Sequence, residues 1–184
     1  MMTAADISSK CSQHFYYADF IQCGETQAHT QIINTPQDPR TIQSIEEIAL
    51  TILDPVVKQF GSLSLSYGFC SNNLLKHIKK KPSPGITPQL DQHAGYELNS
   101  KNNRIWKRDG FACDFYVLGI NSLMVAKWIV LNLPFDHLYF YGKERPLHIS
   151  IAPKNNYMIT LLEQSPTELR TPKNIKKEAF LPKE

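Results

Sequence analysis

Pro146-Leu147-His148-Ile149-Ser150-Ile151-Ala152 sets the frame for this chain, because polar and apolar side chains alternate along it and successive residues of a strand face opposite sides of a sheet. Leu147 and Ile149 share one face, and His148 points to the other. Pro153-Lys154-Asn155-Asn156 follows as a turn, and Tyr157 to Leu162 reads as a second strand, so the two predict an antiparallel hairpin. Upstream, Phe111 to Leu118 and His137 to Tyr141 read as strands, separated by a helix from Ser122 to Leu133 that carries Leu123, Val125, Ala126, Ile129 and Val130. Ser62-Leu63-Ser64-Leu65-Ser66-Tyr67 alternates at period two and predicts a half-buried strand ended by Gly68. From Thr41 to Phe60, Ile42, Ile45, Ile48, Ala49, Ile52, Leu53, Val56, Val57 and Phe60 recur at helical spacing, with Pro55 as a bend. Ser71 caps a short helix that runs through Lys79. The sum is an α+β domain with a mainly antiparallel sheet and two principal helices.

At 184 residues and 42% hydrophobic, the chain buries a real core and fits one domain better than two. Cys11, Cys23, Cys70 and Cys113 are scattered, with no CxxC pair, and are expected to be reduced. The start of the chain lacks the basic and apolar run of a signal peptide, and no stretch approaches the ~20 apolar residues of a membrane span, so a cytoplasmic protein without a membrane partner is expected. A net charge of +3 is too small to imply nucleic acid by itself. The local clusters Lys76, Lys79, Lys80, Lys81 and Arg104, Lys107, Arg108 read first as solvated faces. His14 to Cys23 is aromatic and reads as a strand or an arm docked on the main body. Lys81 to Pro88, with three prolines and a glycine, is a loop that delivers the chain to His93. Glu97 to Asp109, with three asparagines, four basic residues and Trp106, predicts a hairpin or flexible excursion. The tail from Glu163 is expected to be poorly ordered.

Three short motifs carry the chemistry: Asp91-Gln92-His93-Ala94-Gly95, Gly110-Phe111-Ala112-Cys113-Asp114-Phe115 and Arg145-Pro146-Leu147-His148. Two imidazoles and one carboxylate, His93, Asp114 and His148, make a zinc ligand set that leaves a tetrahedral position for water. A lone histidine among six is more often hydrogen-bonded or exposed, but a carboxylate between Cys113 and Phe115 in an apolar strand needs a partner, whether Arg, a backbone donor or a metal.

From Ile52 to Ala152 the chain resembles the zinc D-Ala-D-Ala peptidases and the hedgehog-type domains that share their fold. In that family a helix leads to a strand with a Ser-Gly-Tyr-Arg-Ser-like turn, similar here to Ser66-Tyr67-Gly68-Phe69-Cys70-Ser71. A Ser-x-His-x-x-Gly-x-Ala-x-Asp motif follows, similar here to His93 and then Gly110 to Asp114, and a final strand carries a last His, here His148. The resemblance implies Zn²⁺ on His93, Asp114 and His148, and a single zinc-peptidase-like domain over residues 1–162, with its core at about 41–162, an arm over 1–40 and a tail over 163–184. Three departures accompany it. Glu97 to Asp109 intervenes between the first His and the Asp; Cys70 stands where the family has an arginine that grips a substrate carboxylate; and Arg145 stands where the family's general base usually falls, with Glu144 one residue earlier.

These readings predict a zinc-dependent amide or peptide hydrolase, directed at a cell-wall-like peptide, with Glu144 as catalytic base. Arg145, Tyr67, Ser71, Tyr96 and Tyr141 are the candidate substrate contacts. A second reading keeps the fold, with or without the metal, as an interaction module without hydrolysis. A third takes the basic groups around Trp106 as a contact for single-stranded nucleic acid.

Overall fold

A computed structural model describes residues 4–80, 92–162 and 171–181. In chain order the elements are α1 (Ala4–Ile7), α2 (Tyr17–Ile21), α3 (Glu25–Ala28), α4 (Pro39–Ile48), a π-helical segment (Ala49–Leu53), α5 (Asp54–Phe60), β1 (Leu63–Tyr67), α6 (Asn72–Ile78), a 3₁₀ turn (Gln92–Ala94), β2 (Phe111–Val117), α7 (Ser122–Asn132), β3 (His137–Phe140), β4 (Leu147–Ile151), β5 (Met158–Leu161), β6 (Lys173–Ile175) and α8 (Lys177–Phe180). The fold is α+β, as the sequence predicts. The strands form one six-stranded sheet in the order β1-β2-β4-β3-β5-β6, antiparallel throughout except for the parallel β3/β5 pair.

Period-two alternation gives this sheet two chemically distinct faces. Phe111, Cys113, Phe115, Leu138, Phe140, Leu147, Ile149, Ile151 and Ile159 share one face and belong to the main core, together with Ile45, Ile48 and Ile52 of the long helix and Val125, Ala126 and Ile129 of α7. Asp114, His148, Ser150, His137, Tyr139 and Thr160 belong to the other face.

The long amphipathic helix forms from Pro39, two residues before the predicted start, because Asp38 caps it through the Arg40 N–H at 2.9 Å and Pro39 suits the first helical position. The helix departs from α geometry just before Pro55. The proline ring would meet the carbonyl one turn back, and the chain answers with the π segment, in which the Asp54 N–H reaches back five residues to the Ala49 carbonyl. Ser71 and Asn121 cap α6 and α7 through Leu74 N–H and Met124 N–H.

Two expectations are corrected, and a third resolves to one of its two alternatives. Leu147–Ile151 and Met158–Leu161 do not form a hairpin: β3 lies between them, antiparallel to β4 and parallel to β5. The burial pattern explains this, since all five residues of β4 are buried and such a strand belongs inside the sheet with a neighbour on each side. The segment from His14 to Cys23 is not a strand; it holds α2 and docks on the core through Phe15, Tyr17, Phe20 and Ile21, while Asp54 accepts from Ser12 Oγ at 2.9 Å and Gln13 N at 3.0 Å. Within the tail, residues 171–181 are structured. There β6 pairs with β5, and Phe180 is buried against Phe140, with ring centroids 6.1 Å apart. The loop expected over Lys81 to Pro88 lies outside the described residues. No helix of the described residues is long and apolar enough to cross a membrane.

Candidate metal centre

The pairing of β2 with β4 places Asp114 directly opposite His148, so two side chains separated by more than thirty positions meet on one sheet face. His148 Nδ1 lies 2.8 Å from Asp114 Oδ1. The third member arrives from outside the sheet: His93 sits in the 3₁₀ turn Gln92–Ala94, with Nε2 3.5 Å from the same carboxylate oxygen. His93 Nδ1 lies 2.8 Å from the Gly68 carbonyl oxygen, a partner that can only accept, so Nδ1 donates to it and Nε2 faces Asp114. The His93 carbonyl in turn accepts from the Cys70 N–H at 3.1 Å. One ligand atom from each of His93, Asp114 and His148 lies within 4.8 Å of the others.

Both imidazoles are buried, His93 at 2% and His148 at 1% exposure, whereas the Asp114 side chain keeps 24%, so the trio meets solvent on the carboxylate side. Burial works to raise the Asp114 pKa, but the charges of His93 and His148 and their hydrogen bonds outweigh it and hold the carboxyl well below the usual range. The nearby thiols move the other way. Burial pushes Cys113 well up and Cys23 up to about 12, which keeps both protonated at neutral pH.

The donor set fits zinc, two nitrogens and one oxygen. A second observation points to a bound group. Among the described residues, His148 Nε2 is buried without a hydrogen-bond partner, and so is Ser150 Oγ, two residues on along the same strand face. A buried polar atom left unpaired costs about 1–3 kcal/mol, so the Asp114–His148 hydrogen bond alone does not account for this arrangement.

Two aromatic rings wall the trio. Tyr67, a predicted contact, meets His93 edge-on at 4.6 Å, and Tyr139 meets His148 edge-on at 4.9 Å. Tyr141, also predicted, stacks outside Tyr139 at 6.4 Å. The remaining predicted residues are placed elsewhere. Ser71 caps α6, and Tyr96 is buried between the guanidinium groups of Arg40 and Arg104, each 4.6 Å from its ring. Glu144 and Arg145 are exposed on the β3–β4 turn and line a depression of about 560 Å³ with Tyr116, Asn121, Lys143 and Pro146.

The 97–109 segment is hairpin-like, with a bridge between Leu98 and Arg104. Its two arginines are engaged within the protein: Arg104 pairs with Asp109 at 3.0 Å, and Arg108 pairs with Asp136.

Several residues around the trio escaped the sequence reading. Gly68 supplies the carbonyl that orients His93, and Gln92 and Asp136 belong to a buried network beside it. His137 stacks on Tyr139 at 4.0 Å and bonds Thr160 Oγ1 at 2.6 Å; burial and the adjacent Arg108 lower its pKa from 6.5 to about 4, so the ring is neutral at pH 7. The signal for His137 and Tyr139 is present in the sequence as the alternation His137-Leu138-Tyr139-Phe140, which puts both on the face that carries His148.

Compared with known proteins, the chain matches no family model, no curated protein and no solved structure.

Proposed function

We propose that the chain is a zinc protein of the peptidase-like class that the sequence resembles, and that it hydrolyses an amide or peptide bond. The observation that carries this reading is the convergence of His93, Asp114 and His148 within 4.8 Å, with two buried imidazoles and a carboxylate that reaches solvent. One ring nitrogen from each of His93 and His148 and a carboxylate oxygen of Asp114 would hold the ion. Zinc bound by three protein ligands supplies a water of pKa near ~7 and a Lewis acid for a carbonyl. The chain's own residues do the rest. The Gly68 carbonyl fixes the His93 tautomer, the edges of Tyr67 and Tyr139 exclude water from the two imidazoles, and the open side beyond Asp114 admits the substrate.

The test is elemental analysis of protein purified without chelator or affinity metal, beside His148→Ala, followed by screening of peptide amides. About one zinc per chain, lost in the variant, together with zinc-dependent amide cleavage supports the proposal. A wild-type protein that takes up no zinc when supplied with it rules the proposal out.

One observation favours a second reading, a zinc-binding interaction module without hydrolysis. Glu144, the candidate base, lies exposed on the turn before β4 rather than in the sheet that carries Asp114 and His148. Glu144→Gln decides between them. Loss of cleavage with zinc retained supports the hydrolase with Glu144 as base, whereas zinc-loaded protein inert on every amide tested supports the module.

A further inference from the structure

Asp136, the residue just before β3, carries a carboxylate with no exposure at all, and no reading of the metal centre requires it. Removing a charge from water costs several kcal/mol unless it is paired and fully hydrogen-bonded, so such a group marks a position where the fold needs a charged acceptor. Asp136 Oδ2 accepts from Arg108 Nη2 and from Gln92 Nε2 at 3.3 Å, and Oδ1 accepts from Asn156 Nδ2 at 2.6 Å. Three separate segments thus converge on one carboxylate: the 3₁₀ turn before β2, the end of the 97–109 segment and the β4–β5 connection.

Gln92 is the member that reaches the metal centre. It is 2% exposed, precedes His93 directly and shares the two N–H groups of its side-chain amide among the Asp109 carbonyl at 2.5 Å, Asp136 Oδ2 at 3.3 Å and the Ile151 carbonyl at 3.4 Å. The turn holding His93 is only three residues long, too short to fix a side chain by its own hydrogen bonds. His93 is therefore located from three sides: its ring by the Gly68 carbonyl, its own carbonyl by the Cys70 N–H, and the residue before it by the Gln92 amide held on the Asp109 carbonyl and Asp136.

We propose that Asp136 is a positioning residue for His93, acting through Gln92, and that Arg108 ties the 97–109 segment into the same support. The inference rests on the zinc reading of the trio. It gives the inserted segment a role, namely to deliver the counter-charge that lets a buried carboxylate hold the first ligand in register with Asp114 and His148. Groups one step out from a metal's ligands typically contribute 10–100-fold to its affinity, and that is the effect expected here.

The experiment is zinc affinity by competition with a chromophoric chelator, with the absorption spectrum of the Co²⁺-loaded protein as a second readout of ligand geometry. Wild type is compared with Gln92→Ala, Asp136→Asn, Arg108→Ala and the Gln92→Ala/Asp136→Asn double variant. Each single variant should bind zinc about 10–100-fold more weakly and alter the Co²⁺ spectrum, while the double variant loses little beyond the worse single one. Arg108→Lys, which keeps the charge, should restore part of the affinity. Folded variants that bind zinc within twofold of wild type with an unchanged Co²⁺ spectrum overturn the inference and leave the zinc reading standing. A wild type without zinc overturns both. If Asp136→Asn does not fold, Gln92→Ala and Arg108→Ala carry the comparison and are read in the same way.

Discussion

The Gly68 carbonyl oxygen lies 2.8 Å from Nδ1 of His93, so the turn that ends β1 sets the orientation of a side chain twenty-five positions later. Gly68 can approach closely because it has no side chain. A Cβ there would stand 2.3 Å from the Phe20 carbonyl oxygen and 2.9 Å from Cys23 Sγ. Gly68→Ala is therefore expected to displace the turn, destabilise the fold by roughly 2–4 kcal/mol and weaken zinc binding with it. Denaturant unfolding and chelator competition on the same variant check both effects.

Zinc binding should appear as stability. A ligand at one hundred times its Kd adds about 2.7 kcal/mol to the unfolding free energy. For a chain of this size the melting temperature should rise by roughly 5–10 °C on zinc addition. His93→Ala and His148→Ala should melt at the same temperature with and without zinc, and calorimetry that finds a zinc-dependent rise in either variant removes that residue from the ligand set.

His137 predicts an acid sensitivity. Its pKa is about 4 in the fold because burial and Arg108 oppose protonation, against an ordinary value of 6.5. Above pH 6.5 the ring is neutral in both states and contributes no pH dependence. Between about 6.5 and 4 only the unfolded chain takes up the proton, so stability falls as the pH falls, by up to about 3 kcal/mol. Replacing His137 with Gln should flatten the stability curve over that window, and an unchanged slope in urea titrations at pH 7, 5.5 and 4.5 counts against the assignment.

The N-terminal arm should behave as part of the core. Phe20 is fully buried and packs edge-on against Phe111 of β2 at 6.2 Å. Phe20→Ala should cost about 3–5 kcal/mol, as large as a truncation within the sheet itself. A loss below 1 kcal/mol by equilibrium denaturation contradicts this docking.

Gly110 is a backbone requirement just ahead of Asp114. It has φ +100°, and a Cβ would stand 1.8 Å from the Ile151 carbonyl oxygen across the sheet. Gly110→Ala should break the start of the β2–β4 pairing, costing roughly 3 kcal/mol or more, and shift Asp114 out of line with His148. Circular dichroism and zinc affinity report the two consequences separately.

The sequence by itself determined most of the local elements and singled out His93, Asp114 and His148 as a candidate trio, because both follow from short-range patterns. A short apolar run marks Phe111–Val117 as a strand and alternation marks Leu147–Ile151 as another, the helical spacing of isoleucines marks the long helix around Pro55, and a carboxylate in an apolar strand marks Asp114 as needing a partner. Only the tertiary structure decided which strands are neighbours. Pairing depends on which apolar surface each strand buries, so β3 enters between β4 and β5 although the chain offers a shorter hairpin. The fate of the charged groups is likewise a tertiary matter. Arg108 is one basic residue among many along the chain and becomes the partner of Asp136 only when the 97–109 segment folds back onto the start of β3. Gln92 carries no pattern at all, since an amide acquires its role from the three acceptors that folding brings around it.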